Sequence, residues 1–486
     1  MNFEKFIGAA NGFVWSAWFL LPLLLLTGLY LTVGLRFMSV VKIPYAFREL
    51  LRKRDPDETK EGEVTPFQAL MTALSSTIGT GNIAGVAAAI AIGGPGAIFW
   101  MWITALVGTA TKYSEGVLAL KFRETDANGN YVGGPMYYIK NGLGSRFTWL
   151  AVAFASFGIM AAWGTGALIQ SQSISDAVRA TYGGGQDGAL YGMMPIIIAI
   201  ALSVGAAAVI LGGVKRIAGV ASRLVPIMAF AYMGAGLIVI LLNISEVPAA
   251  FGLIFSRAFG ADAAGTGISI GLLMLAMQKG VARGIFSNEA GQGSAPIAHA
   301  AAQNNDPVNQ GTVAMLGTVI DTLIVCTFTA LIILTSGVVG DACLPSTVNL
   351  ETFLADDQPM GCDTGAPLTI AAFDATLTGI GKHIVTLGLV VFGFTTILGW
   401  SYYGERCCAF LFSEKSILPY RISWIIVVFI GALSIAFEGS VANIVNLFWL
   451  IADTLTGLMA APNLVGLIFL SPVVFAMTRD YYANRK

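Results

Sequence analysis

The sequence predicts an all-α membrane protein that crosses the bilayer many times. Hydrophobic residues make up 56% of the 486 residues and charged residues 11%, whereas a soluble domain carries about 25% charged residues. The mean hydropathy is +0.75. This composition predicts membrane lipid as the surroundings. The net charge is −1, which gives no sign of a nucleic-acid partner or of one held by electrostatics.

Apolar runs of roughly 20 residues, each long enough to cross a bilayer, recur about eleven times. The first is too long for a signal-peptide core, so we expect it to be a retained helix. The run 441–458 is left over and contains Asn443, Asn446 and Asp453. It is either part of a bent last helix or an interfacial or re-entrant segment. The predicted spans are 14–36, 67–92, 95–121, 148–180, 190–213, 217–242, 268–300, 309–337, 383–412, 418–437 and 459–478.

Basic residues predict the orientation, because loops rich in Lys and Arg stay in the cytoplasm. The segment 36–60 after the first span carries seven of them, which puts the N-terminus outside. The basic tail 479–486 is then cytoplasmic, as an odd number of crossings requires. We expect a multi-pass protein of the plasma membrane, such as a bacterial inner membrane.

The loop 338–366 falls outside in this scheme and contains five acidic residues and neither Lys nor Arg. Cys343 and Cys362 lie in it. Since disulfides persist in oxidising compartments, we expect these two cysteines to be paired; two free thiols are the alternative.

The most informative stretch is Thr72–Gly85, inside the span 67–92. Gly79, Gly81 and Gly85 weaken a helix there, and Ser, Thr and Asn side chains bring polar groups to mid-membrane depth. Irregular backbone at that depth is tolerated only where it is buried in protein or lines a cavity. A broken helix of this kind typically holds substrate and ion in secondary transporters.

A second broken stretch, Lys279–Pro296, interrupts the span 268–300 with glycines and polar residues. Each broken helix is the first of a five-helix set, the sets being 67–242 and 268–478. The two broken helices enter the membrane from opposite sides, as in an inverted repeat. Half-helix N-termini suit a carboxylate, and freed carbonyls suit a small cation. Small-residue helix packing is the alternative, but it does not explain polar clusters in both breaks.

Several blocks resemble a known family. Ser76–Asn82 looks like the unwound first core helix of LeuT-type transporters, with its Gly-x-Gly-Asn signature. The blocks Ala73–Gly85, Gly133–Ile139 and Gly284–Gly293 closely resemble the alanine/glycine:cation symporter family, and the likeness covers residues 60–480. It implies a LeuT-type core of ten helices, arranged as a 5+5 inverted repeat after one extra N-terminal helix. It also implies sodium-coupled uptake of alanine or glycine.

The resemblance also implies a sodium site. In the LeuT-type pattern, carbonyls of the first core helix and hydroxyls of the eighth hold Na⁺, the coupling ion. The matching positions are the carbonyls of Ser75 and Ile78 and the hydroxyls of Thr395 and Thr396. The threonine pair could instead bond to carbonyls of its own helix. Asn82 matches a residue that contacts a second ion in some relatives, and it could equally brace the unwound loop.

For the substrate, we expect the carboxylate at N–H groups of the first break and the amino group at carbonyls and side chains around 286–289. Gln170 is polar where apolar residues dominate, so it should line the pocket. Large aromatic residues would admit a small side chain and exclude leucine. The expected substrate-binding residues are Thr77, Gly79, Thr80, Gly81, Gln170, Phe286, Ser287, Asn288 and Trp400.

Other polar residues have more ordinary interpretations. Lys112 and Glu115 are spaced to form an ion pair on one helix, and the intramembrane Asp321 is either functional or a brace. Two distant histidines and the absence of metal-ligand spacing argue against an enzyme. Two breaks around one site argue against a channel. Proton coupling, or another small solute carried on the same fold, stays open as the alternative.

Overall fold

The computed structural model describes residues 3–16, 18–52, 61–184, 188, 190–260, 270–339, 365–437 and 440–484. Within these ranges the protein is helical apart from one antiparallel two-stranded hairpin, in which β1 (Glu124–Thr125) pairs with β2 (Tyr131–Val132). Cys343 and Cys362, with their expected disulfide, lie outside the described residues.

The first half of the chain carries thirteen described α-helices. A π-helical segment, Ala162–Leu168, joins α9 to α10, so that these elements form one long rod. The bounds are α1 Phe3–Val14, α2 Leu20–Gly34, α3 Met38–Val41, α4 Ile43–Leu51, α5 Pro66–Thr77, α6 Ala84–Gly93, α7 Ala97–Lys121, α8 Pro135–Leu143, α9 Thr148–Ala161, α10 Ile169–Tyr182, α11 Met194–Ile210, α12 Gly213–Leu242 and α13 Val247–Ala258.

The second half carries nine described α-helices, and a second π-helical segment, Val319–Cys326, lies between α17 and α18. The bounds are α14 Ile270–Asn288, α15 Ala295–Ala300, α16 Pro307–Ala314, α17 Leu316–Thr318, α18 Thr327–Thr335, α19 Ala366–Thr376, α20 Gly381–Phe412, α21 Ile417–Leu433 and α22 Ser440–Ala483.

Six helical stretches of the described chain are long and apolar enough to cross a membrane. The run 441–458, whose placement the sequence left open, belongs to α22 and continues into the last predicted span. At 44 residues, α22 is about 66 Å long. It carries Pro462 and Pro472 in its interior. The six stretches are Ser145–Tyr182, Gly213–Leu242, Pro307–Thr335, Gly381–Phe412, Glu414–Ala436 and Leu447–Ala483.

Both broken helices are interrupted where the sequence predicts. The first stops at the end of α5 and resumes as α6, and the second stops at the end of α14 and resumes as α15. Thr65 starts α5 with a capping box shared with Gln68, which satisfies N–H groups that a helix start leaves free. The helices α5, α6, α14 and α15 pack on one another and on α7, α12 and α20. The two breaks therefore lie in the protein interior.

Candidate functional site

The first break is an extended turn that redirects its own hydrogen bonds. Gly79 has φ −135° and ψ −154°, and its N–H donates to Asn82 Oδ1 at 3.0 Å. The N–H of Asn82 donates to the Gly79 carbonyl at 3.2 Å. In a continuous helix these two N–H groups would bond to the carbonyls of Ser75 and Ile78. Those two carbonyls, which the family resemblance assigns to sodium, therefore lose their helical donors.

A buried carboxylate joins the first break to the second. Asn82 Nδ2 donates to Asp321 Oδ1 at 2.6 Å, and Ser287 Oγ donates to Asp321 Oδ2 at 2.8 Å. Thr322 Oγ1 donates to the same Oδ2 at 2.7 Å. Asp321 is 0% exposed. Its contacts hold Asn82 of the first break and the end of α14 against the π-helical segment 319–326.

The second break uses left-handed backbone. Glu289, Gly291 and Gly293 have φ angles of +53°, +87° and +82°. Glu115 Oε1, on α7, accepts the Gly293 N–H at 3.2 Å and Asn463 Nδ2 at 2.8 Å. Asn463 also donates to the Gly291 carbonyl at 2.8 Å, so α7 and α22 hold this break together.

The predicted ion pair between Lys112 and Glu115 is wrong. No nitrogen–oxygen contact within 4.0 Å joins the two side chains among the described ion pairs. The reason is that Glu115 turns toward neutral donors of the second break instead.

A small polar cavity lies between the two breaks, α20, α22 and the π-helical segment 162–168. It leaves about 20 Å³ for the centres of water molecules, which is room for roughly one water. The cavity therefore has little free space in this conformation. The residues that line it are Ser76, Thr77, Gly79, Gly81, Thr165, Gln170, Phe286, Glu289, Gln292, Thr396, Trp400 and Thr456.

The cavity brings together six of the nine expected substrate residues. Thr80 lies behind the wall, where its hydroxyl donates to Gln170 Oε1 at 3.2 Å. Ser287 and Asn288 are not part of the wall. Their side chains turn to the π-helical segment, where Asn288 Nδ2 donates to Thr322 Oγ1 at 3.2 Å. These two side chains therefore position the break.

Sequence reasoning missed four wall residues. Thr165 lies five positions before Gln170 and is likewise polar among apolar residues, so the same reasoning could have identified it. Thr456 lies in the run 441–458, which had no assigned helix, and its hydroxyl is 2.9 Å from that of Thr165. The other missed residues are Ser76 and Gln292, whereas Glu289 lies in the range 286–289 that the sequence indicated for the amino group.

Thr396 faces the first break, whereas the Thr395 hydroxyl lies 3.5 Å from Met228 Sδ on α12. A Cβ placed on Gly79 would lie 2.6 Å from Thr396 Oγ1, and one on Gly399 would lie 2.8 Å from Ser75 Oγ. Both Thr395 and Thr396 donate to the Phe392 carbonyl, at 2.9 and 3.0 Å. Such bonds use the hydroxyl hydrogen and leave oxygen lone pairs for a cation, so the two interpretations of this pair are compatible.

Comparison with known proteins identifies the family. A model of the sodium:alanine symporter family matches residues 1–486. The chain belongs to this family. It is 47% identical to the sodium/alanine symporter AgcS of Methanococcus maripaludis, over 100% of this chain and 99% of that protein. It is 37% identical to the "Probable sodium/glutamine symporter GlnT" of Bacillus subtilis, over 99% and 91% of the two chains.

Comparison with the solved structure of another protein shows the fold of this chain. The chain is similar to MhsT in complex with L-phenylalanine, with a TM-score of 0.52 and 10% identity, over 86% of this chain and 99% of that one. The fold is therefore LeuT-like and helical. The family and its named relatives are transporters, which agrees with a protein that is not an enzyme.

Beyond the breaks, hydrogen bonds join the segment ahead of α5 to the segment that follows α15, on the side that the basic loops predict to be cytoplasmic. The N–H of Val64, ahead of α5, donates to the Ala301 carbonyl at 3.2 Å, and that of Gln303 donates to the Val64 carbonyl at 2.6 Å. Arg123 Nη1 donates to the Ala302 carbonyl at 3.0 Å. The start of the first broken helix and the end of the second are thus joined by hydrogen bonds on that side.

Proposed function

We propose that this chain couples the downhill entry of Na⁺ to the uptake of alanine or glycine by alternating access. The observation that carries the proposal is the small cavity between two interrupted helices, beside carbonyls that the first break has freed. Family membership supports the same conclusion. The alternative is coupling to protons, or transport of another small solute, as the name of the relative GlnT suggests with glutamine for that protein.

We further propose eleven crossings, with α2 as the extra N-terminal helix and two inverted five-helix repeats, 67–242 and 268–478. The N-terminus would lie outside and the C-terminus in the cytoplasm. The opposite entry of the two broken helices and the distribution of basic loops support this topology.

For the ion, we propose that Na⁺ binds the carbonyls of Ser75 and Ile78 and the hydroxyls of Thr395 and Thr396. Four oxygen ligands suit a hard cation. For Asn82 we propose the role of a brace, because its amide oxygen and nitrogen are both engaged by protein groups.

For the substrate, we propose that the carboxylate meets the N–H groups of Thr80 and Gly81. The Gly79 N–H, which the sequence also suggested, is taken by Asn82. Phe286 and Trp400 in the wall limit the space for the side chain, so a methyl group or hydrogen fits best.

Uptake of labelled alanine into proteoliposomes tests the proposal. We expect uptake with an inward Na⁺ gradient and none when choline or potassium replaces Na⁺. Uptake driven equally well by a proton gradient in choline would favour the alternative.

The double variant Thr395→Ala, Thr396→Ala should raise the Na⁺ concentration for half-maximal uptake, because two oxygen ligands are lost. Thr312→Ala is the control, since Thr312 is equally buried and bonds to the Val308 carbonyl away from the site.

A further inference from the structure

Glu289 is the charged residue of the cavity wall. The other described residues that line the cavity are neutral. Glu289 is 4% exposed and adopts φ +53°, a left-handed conformation that is strained for a residue with a side chain. The second break therefore holds a carboxylate at the cavity in a backbone position that glycine would occupy more easily.

Two neutral donors orient this carboxylate and leave part of its bonding capacity unused. Trp400 Nε1 donates to Oε1 at 3.0 Å, and Ser294 Oγ donates to Oε2 at 2.5 Å. An ionised carboxylate has about four acceptor positions, so these two bonds fill about half of them.

No described cation forms an ion pair with Glu289. Lys112 is the basic residue whose charge reaches it, and Asp321 opposes that effect. The charge of Lys112 also acts on Glu115 and Asp321, so the influence of one lysine is divided among three buried carboxylates. An uncompensated buried charge is costly, which favours a positive group supplied by the ligand.

We propose that the Glu289 carboxylate binds the ammonium group of the substrate, held in place by Trp400 and Ser294. This inference rests on the proposed function and deepens it. The substrate carboxylate then lies at the first break and its ammonium group at the second. With a zwitterion, one Na⁺ and ionised Glu289, the charges of the occupied site sum to zero.

The assignment makes Glu289 the residue that distinguishes an amino acid from its hydroxy-acid analogue. L-Lactate has the same carbon skeleton and carboxylate as L-alanine, but a neutral hydroxyl replaces the ammonium group. A carboxylate that only braced the second break, as Glu115 does, would affect both ligands alike. The ratio of the two affinities therefore separates ligand recognition from bracing.

The experiment measures Na⁺-dependent binding of L-alanine and L-lactate to the purified full chain. We expect the wild type to bind alanine at least about a hundredfold more tightly than lactate, since truncating one partner of a buried charge pair costs at least about that factor in the stronger cases. In Glu289→Gln, alanine binding should weaken by at least about thirtyfold and lactate binding by less than about threefold. Glu115→Gln, the same change in a carboxylate outside the wall, should leave the ratio unchanged.

Three results would be decisive against this assignment or its basis. An unchanged alanine-to-lactate ratio in monodisperse Glu289→Gln overturns the assignment. If that variant does not fold, the wild type alone still decides, because lactate binding within about threefold of alanine would mean that no group recognises the ammonium charge. A wild type without Na⁺-dependent binding of alanine would instead contradict the proposed function.

Discussion

The two broken helices both carry several glycines and one asparagine, yet their backbones break in different ways. In the first break, Gly79 is extended and no residue of 78–83 has a positive φ. In the second, three residues within 289–293 are left-handed. Side chains brace both breaks, but only the second takes its shape from left-handed residues. Glycine serves close approach in the first and backbone shape in the second.

Each break is hydrogen-bonded to a carboxylate from the other half of the chain. Asp321 follows the second broken helix in the chain but accepts a hydrogen bond from Asn82 of the first. Glu115 follows the first broken helix but accepts the Gly293 N–H of the second. Each break is thus fastened to the helix that follows the other. These contacts therefore connect each half of the chain to the broken helix of the other half.

The largest effect should come from a side chain in the second break. In Gly293→Ala, the new Cβ would lie 2.6 Å from Pro135 Cγ at a φ of +82°. Strain and overlap together should cost about 3 kcal/mol or more, enough to lower the yield of folded protein. Gly85→Ala is the control, because a Cβ there meets nothing within 4 Å. Size-exclusion profiles and thermal unfolding compare the two, and a Gly293→Ala variant as stable as the control would refute left-handed shape as the basis of this break.

A smaller effect, limited to ligand binding, should follow substitution in the first break. In Gly79→Ala, the new Cβ would lie 2.6 Å from Thr396 Oγ1, whereas in Gly81→Ala it would lie 3.7 Å from Phe286 Cδ1, an ordinary contact. Gly79→Ala should raise the half-saturating Na⁺ concentration by about tenfold, from overpacking of 1–3 kcal/mol, and Gly81→Ala by less than about threefold. Equal Na⁺ dependence in the two variants would contradict the position of Thr396 beside the break.

The comparison of the two breaks also shows which of their features could be predicted from the sequence. Glycines and polar side chains at membrane depth predicted both breaks, since lipid cannot satisfy an unwound backbone. The sequence could not distinguish extended from left-handed glycines, because both conformations suit a residue without Cβ. It also could not assign Thr456, because the helix that carries it is longer than a membrane span. The direction of Glu115 depends on tertiary contacts with Gly293 and Asn463, which a helical spacing rule does not include.

The two asparagines that hold the breaks should have separable effects. Asn82→Ala leaves the Gly79 N–H and Asp321 Oδ1 without a partner, at about 1–3 kcal/mol for an unsatisfied buried group. We expect weaker binding of Na⁺ and alanine, because the ion-binding carbonyls change direction. Asn463→Ala, the matched change at the second break, should lower the unfolding temperature with Na⁺ dependence retained. If Asn82→Ala changes only stability, the first break does not form the ion site.

The smallest effect should be that of Thr80→Ala. The Thr80 hydroxyl donates to Gln170 Oε1 and lies outside the cavity wall, so the variant loses one neutral hydrogen bond and no ligand contact. Such a bond contributes about 1 kcal/mol, which corresponds to roughly fivefold weaker alanine binding. In a double-mutant cycle with Gln170→Ala, the two changes should be non-additive, because Thr80 acts by orienting Gln170. Additive losses, or a hundredfold loss in Thr80→Ala alone, would contradict this role. Either result would mean that the Thr80 hydroxyl contacts the substrate directly, in a conformation of the first break other than the one described.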